Sequence, residues 1–173
     1  MPPPQFCIIL RGPAGSGKST LAKEIQRRCR FKTAVIDTDL FNWSIVPGED
    51  DKAVVYENVV TLASNYLRRN YNVIIEGLII SSEEQGALEQ VRKLAAERRA
   101  VGLDFYCRVS KDVALGRNEG RGKGVEARQI EEWWDLAEAD MANVSVPLIE
   151  LDMETELGDV ATKVLDAVTL GGR

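Results

Sequence analysis

Eight consecutive residues near the start of the chain, Gly12-Pro13-Ala14-Gly15-Ser16-Gly17-Lys18-Ser19, have the side chains and spacing of a phosphate cradle. Glycines let the backbone curl so that successive N–H groups aim inward at phosphate oxygens, and a helix beginning at Lys18 adds its positive N-terminal end. Lys18 is placed to reach the β- and γ-phosphates of a nucleoside triphosphate, Ser19 to ligate Mg²⁺ through its hydroxyl, and Thr20 to touch the α-phosphate. A chance glycine-rich turn is the plain alternative. The apolar run that ends at Gly12 and the amphipathic pattern from Lys18 onward supply the strand and helix that a real cradle needs. Two other nucleotide designs fit less well. Gly15-Ser16-Gly17 with Asp37 downstream could open a dinucleotide fingerprint, but Thr20 stands where its third glycine belongs and Lys18-Ser19 has no task there. A switch GTPase needs an Asn-Lys-x-Asp guanine reader, and the sequence has none.

Carboxylates at the ends of apolar runs supply the next chemistry. Asp37 and Asp39 lie two residues apart, and strand alternation predicts that both turn to the same side. In an open α/β sheet that end faces the ligand crevice. Phosphoryl transfer to a hydroxyl needs one carboxylate near Mg²⁺ and one to accept the hydroxyl proton. The competing reading is that these aspartates only cap the residues after them. Glu76 ends another apolar run, is followed by Gly77, and points to a substrate or supporting role in the same crevice. Asp104 lies in mid-run and reads as a buried partner for a neighbour. Trp43, in polar surroundings after Asp39, is a candidate wall for an organic acceptor, whereas Trp133 and Trp134 fit an apolar helix stripe and read as core.

The segment 116–124, Gly-Arg-Asn-Glu-Gly-Arg-Gly-Lys-Gly, combines cations with glycines. Mobile cations on a flexible segment suit a lid that closes over phosphates and stabilises charge on the transferring group. A solvated turn is the bland alternative. The pairs Arg27-Arg28, Arg68-Arg69 and Arg98-Arg99 read as cations closing helices.

Bulk properties exclude several classes. Hydrophobic residues are 45% and charged residues 28% of the 173, as in an ordinary globular chain. With 22 basic and 27 acidic side chains the net charge is −5, which weighs against sequence-blind nucleic-acid binding. The absence of histidine removes Ser-His-Asp and Cys-His catalysis and histidine-held zinc. Cys7, Cys29 and Cys107 form no C-x-x-C pair and read as reduced thiols. No run approaches the roughly 18 apolar residues of a membrane span, and the first residues lack the parts of a signal peptide. The expectation is a cytoplasmic protein without a membrane partner.

These side chains must be carried by alternating strands and helices. Apolar runs predict strands at 6–11, 34–37, 73–76, 103–109 and 148–151. Helical spacing predicts helices at 18–30, 51–70 and 81–99, the last opened by a Ser81–Glu84 capping box. A short helix from Ser110 leads into 116–124, followed by helices carrying the Ile130–Met141 stripe and Leu157, Val160, Val164 and Val168. The stretch after Asp39, with Phe41 and Trp43, reads as irregular. Strands that are apolar throughout and alternate with helices indicate one α/β domain over 1–173, with a parallel sheet covered on both faces.

The motifs together resemble small P-loop kinases. "VALGRNEGRG" at 113–122 is similar to the lid run of the chloramphenicol phosphotransferase group, and "VIDTDLF" and "YNVIIEG" resemble the zeta-toxin kinases. Shikimate and gluconate kinases are more distant likenesses. The resemblance implies a P-loop NTPase fold whose five-stranded parallel sheet has the order 2-3-1-4-5, and MgATP as phosphoryl donor. It implies that Asp39 is the base, that Asp37 acts on Mg²⁺ through water, and that Arg117 and Arg121 are lid arginines. The implied activity is transfer of the γ-phosphoryl to a hydroxyl of a small organic acceptor: an antibiotic, a sugar nucleotide or a metabolite. A regulatory nucleotide switch and a nucleoside or polynucleotide kinase are the alternatives. The segments 40–50 and 77–80 match none of these families well, and they border the acceptor pocket.

Overall fold

The computed structural model describes residues 4–45, 51–80, 82–119 and 125–172, and the side chains of 42–45, 82 and 83 fall outside the description. Thirteen elements follow one another: β1 (Phe6–Arg11), α1 (Lys18–Arg28), β2 (Thr33–Asp37), α2 (Thr38–Ile45), α3 (Lys52–Arg68), β3 (Asn72–Gly77), α4 (Ser82–Glu97), β4 (Val101–Arg108), α5 (Lys111–Glu119), α6 (Ala127–Asp140), a 3-10 turn (Met141–Asn143), β5 (Leu148–Asp152) and α7 (Leu157–Gly171). All five strands run parallel in the order β2-β3-β1-β4-β5, as the resemblance implied.

β1 is central and fully buried because it reads Phe-Cys-Ile-Ile-Leu-Arg, apolar on both faces. Ile8 and Leu10 pack with Leu21 and Ile25 of α1 and Val160 and Val164 of α7. Cys7 and Ile9 face the other way, against Val59 and Leu67 of α3 and Leu88 of α4. Register places the strand ends level, with Arg11 beside Gly77 and Tyr106, and Asp37 beside Glu76. The carboxyl edge of the sheet therefore gathers the residues named above.

The expected elements appear with ends shifted by a few residues. Asp51 is the N-cap of α3, accepting from the Val54 N–H at 3.2 Å, and Asn70 stops the helix by taking φ +61°. The aromatic stretch after Asp39 corrects the sequence reading: it is a helix, α2, rather than irregular chain. Asp37 supplies the start signal, since its carboxylate accepts from the Asp39 N–H at 2.9 Å. Asp104 is buried between two arginines, as its mid-strand position suggested. Trp134 packs against the α1–α7 core and donates to the Val109 carbonyl at 3.0 Å. Among the described residues no helix is long and apolar enough to cross a membrane.

Candidate active site

The cradle joins the end of β1 to the start of α1. Gly12, Gly15 and Gly17 take φ of +145°, +78° and +90°, a region that side chains rarely adopt. Space is short as well. A Cβ on Gly12 would stand 2.7 Å from the Cys107 carbonyl oxygen, and one on Gly15 would stand 2.5 Å from that of Ala114. The end of β4 and the start of α5 thus brace the loop from behind. Gly17 caps α1 without a side-chain acceptor, so the first N–H groups of that helix are left for an anion. Lys18 is buried, and its ammonium donates to the Gly12 and Pro13 carbonyls, both at 2.9 Å, with Ser16 Oγ at 3.4 Å.

The acids stand beside this loop. Glu76 is 3% exposed and its carboxyl is raised above the usual range. Burial is the main cause. The Lys18 ammonium and the neighbouring Ser19 hydroxyl oppose it, while the negative charges of Asp37 and Asp39 reinforce it. One crevice therefore holds Lys18, Ser19, Asp37, Asp39 and Glu76. The route by which Asp37 and Asp39 reach it is different from the one expected. Strand alternation ends at Asp37, because α2 begins at Thr38. Capping and crevice placement hold together: Asp37 is half-buried and starts the helix, while Asp39 is exposed on its first turn.

Thr38, between them, is buried and packs so closely on Gly77 that a Cβ there would strike its hydroxyl oxygen. The buried Tyr56 of α3 has Thr38 and Glu84 of α4 as polar neighbours of its hydroxyl. Burial, with the charge of Glu84 adding to it, holds that hydroxyl firmly protonated. Glu84 in turn accepts from the Ile80 N–H at 2.6 Å. The turn 77–80 and the starts of α2 and α4 are thereby fixed relative to one another. Sequence reasoning had passed over Tyr56, and had seen in Glu84 only a helix start.

On the other side of the cradle a cleft of about 290 Å³ is lined by Gly17, Thr20, Arg117, Met153, Leu157 and Val160. Its apolar wall with one cationic edge suits a purine ring. Met153, one residue beyond β5, was not singled out, although its place at a strand's carboxyl end was a usable signal. Arg117 belongs to the last turn of α5, which continues through Glu119, and not to a glycine-rich loop. It donates to the Met153 carbonyl at 2.7 Å and lies 3.5 and 3.4 Å from the Gly15 and Ser16 carbonyls. Arg121, with the rest of 120–124, lies outside the described residues, as does the Trp43 side chain.

The donor set fits magnesium. Among the described residues no three His, Cys, Asp or Glu side chains close on a metal by themselves. Mg²⁺ does not require that, since it keeps waters and takes one or two protein oxygens together with substrate phosphates. Ser19, Asp37 and Glu76 offer such oxygens.

Comparison with known proteins agrees with this architecture. The family model described as "AAA domain", AAA_33, matches residues 7–141. A probable adenylyl-sulfate kinase of Pyrococcus abyssi is 24% identical over 131 residues, covering 72% of this chain and 70% of its own. The Mycobacterium tuberculosis APS kinase CysC, solved with AMPPNP and APS, superposes with a TM-score of 0.63 at 18% identity, covering 95% of this chain and 98% of that one. Shikimate kinase from Acinetobacter baumannii, solved with shikimate, gives 0.62 at 19%, covering 95% and 93%. With its family model matched over most of its length, the chain belongs to the AAA_33 family and has the P-loop fold of small-molecule kinases.

Proposed function

We propose that the chain transfers the γ-phosphoryl group of MgATP to a hydroxyl of a small organic acceptor, with residues 1–173 acting as one kinase unit. The observation that carries this reading is the phosphate cradle with Lys18 buried against its carbonyls and the buried Glu76 carboxyl beside Lys18 and Ser19. The APS kinase neighbour's complex with AMPPNP supports ATP as donor. Lys18 exchanges its carbonyl partners for phosphate oxygens, and the backbone N–H groups of 12–19 hold the remaining charge. Mg²⁺ would be held by Ser19, with Glu76 and Asp37 acting through its waters, and would neutralise charge on the phosphates. Asp39 accepts the proton of the acceptor hydroxyl as its oxygen bonds to the γ-phosphorus and the bond to the ADP oxygen breaks.

Arg117, anchored on the cradle and edging the apolar cleft, is assigned to the nucleotide base. Lid cation is a role left to Arg121. Trp43 keeps its assignment as acceptor wall. Within the family, the likeness of 113–122 to chloramphenicol phosphotransferases and of 35–41 and 71–77 to zeta-toxin kinases favours an alcohol acceptor.

The test is a screen of hydroxylated antibiotics, sugars, sugar nucleotides, nucleosides and hydroxy acids for acceptor-dependent ADP release. Lys18→Ala should abolish any activity found. Calorimetric binding of NAD without binding of MgATP would overturn the reading.

A further inference from the structure

Among fully buried side chains the largest is that of Arg11, the last residue of β1 and the one before Gly12. It is 1% exposed. Cys7 and Ile9 face the α3–α4 core, so strand alternation sends Arg11 to that side as well. One amino group donates to Asp104 Oδ2 at 2.8 Å and to Gln85 Oε1 at 3.0 Å. Nε and the other amino group have no partner among the described residues, and neither has Nε2 of Gln85. Three guanidinium N–H bonds and two amide N–H bonds are thus buried side by side without an acceptor.

Asp104 is also shared. Arg92 of α4 engages both oxygens of Asp104, Nε to Oδ1 at 3.0 Å and an amino group to Oδ2 at 2.7 Å. That fork already matches the carboxylate, and Arg92 also meets Glu89 at 3.5 Å, so Arg11 holds only one oxygen of an anion that is otherwise engaged. Asp140, at the end of α6, is close enough for Arg11 to favour its ionised form, but no hydrogen bond joins them among the described residues. Buried guanidinium groups kept only for stability normally have their donors filled.

Position completes the case. Arg11 is level with Gly77, and Gln85 lies in the first turn of α4, next to the glutamate that holds the Ile80 N–H. The Arg11 backbone thus stands at the carboxyl edge of the sheet, and its side chain reaches Asp104 of β4 and the first turn of α4. Met153, Leu157 and Val160 of the apolar cleft belong to the α1–α7 side of the sheet, so the nucleotide base would occupy the opposite face. Gln85 is half-buried, so this residue, unlike Arg11, meets solvent.

We propose that Arg11 and Gln85 form an oxyanion-binding subsite on the acceptor side of the crevice, so that the acceptor is a hydroxy compound bearing a carboxylate, phosphate or sulfate. This rests on the kinase reading. The free Nε and Nη1 donors and the Gln85 amide can each give a hydrogen bond to an oxygen of any of the three groups.

The test uses the full chain saturated with MgAMPPNP, so that the cradle is filled. Sulfate and glycolate are titrated in, with chloride at matched ionic strength as control, and binding is read by calorimetry and tryptophan fluorescence. Saturable oxyanion binding is expected, weaker by about tenfold or more in Arg11→Met and by a smaller factor in Gln85→Leu. Arg92 keeps Asp104 paired in both variants. No saturable binding beyond chloride, or equal binding in wild type and variants, would overturn the subsite. Should Arg11→Met fail to fold, undiminished binding by Gln85→Leu overturns it alone. ADP release with glycerate against glycerol, and gluconate against glucose, should favour the acids. Equal use of both members of each pair removes the acceptor assignment. Failure of MgAMPPNP itself to bind overturns the kinase reading and this assignment with it, whereas nucleotide binding without an oxyanion step removes the subsite alone.

Discussion

Glu76 sits where stability and chemistry conflict. Its carboxyl is raised, chiefly by burial, so the folded chain holds the proton more tightly than the unfolded chain does. The cost is absent below the ordinary glutamate range and grows as pH rises through the raised value. Glu76→Gln should therefore melt at or above the wild-type temperature at about pH 8, with the difference vanishing by about pH 4.5. The same variant should need more Mg²⁺ for half-maximal rate. A melting scan across that range decides the first point, and a variant less stable than wild type at the alkaline end would refute it. Asp37 and Asp39 should fail differently. An amide at 37 keeps an oxygen for the Asp39 N–H, so the start of α2 survives and only the link to metal is weakened. Excess Mg²⁺ should partly rescue Asp37→Asn. Asp39→Asn should bind MgATP normally yet lose about 10²–10⁴-fold in turnover, without metal rescue. A Mg²⁺ titration of steady-state rate tests the pair, and the opposite pattern reverses the two roles.

Elements carry the next constraint. Gly77 ends β3 against Thr38 of α2, with no room for a methyl group. Gly77→Ala pushes α2 and its Asp39 off the sheet, at a cost of about 1–3 kcal/mol. Urea unfolding should register that loss, and turnover should fall further than stability alone explains. The strands were legible because their apolar runs are short and bounded by Gly, Asp and Glu. The cradle was legible because its function fixes residue types over eight consecutive positions. α2 was not: its start depends on one carboxylate folding back on a neighbouring N–H, which period alone does not reveal. Arg117 was assigned to a loop because Gly116 and Gly120 look like breaks, yet α5 runs past the first of them. The links from Tyr56 to Thr38 and Glu84 join three helices distant in sequence, and no local pattern announces such a contact.

For the whole molecule, ligand binding and folding are linked. A nucleotide held between α1, α5 and the residue after β5, as proposed, would bind the folded chain only. MgATP at about a hundred times its dissociation constant should add about 2.7 kcal/mol, raising the melting temperature by roughly 5–10 °C. Lys18→Ala should lose most of that rise. Thermal melting with and without MgATP reads it directly, and equal shifts in both proteins would detach Lys18 from the phosphates.

The central place of β1 also sets an order in time. Its partners are β3 and β4, and the glycines that follow it rest against the carbonyls of Cys107 and Ala114. The first twenty residues spell the phosphate loop, but its supporting wall leaves the ribosome only when residue 114 does. At about 5–20 residues per second the emerging chain waits several seconds before that wall exists. Until residue 77 has emerged the apolar β1 is a strand with both edges open, and until residue 108 with one, a natural client for a chaperone.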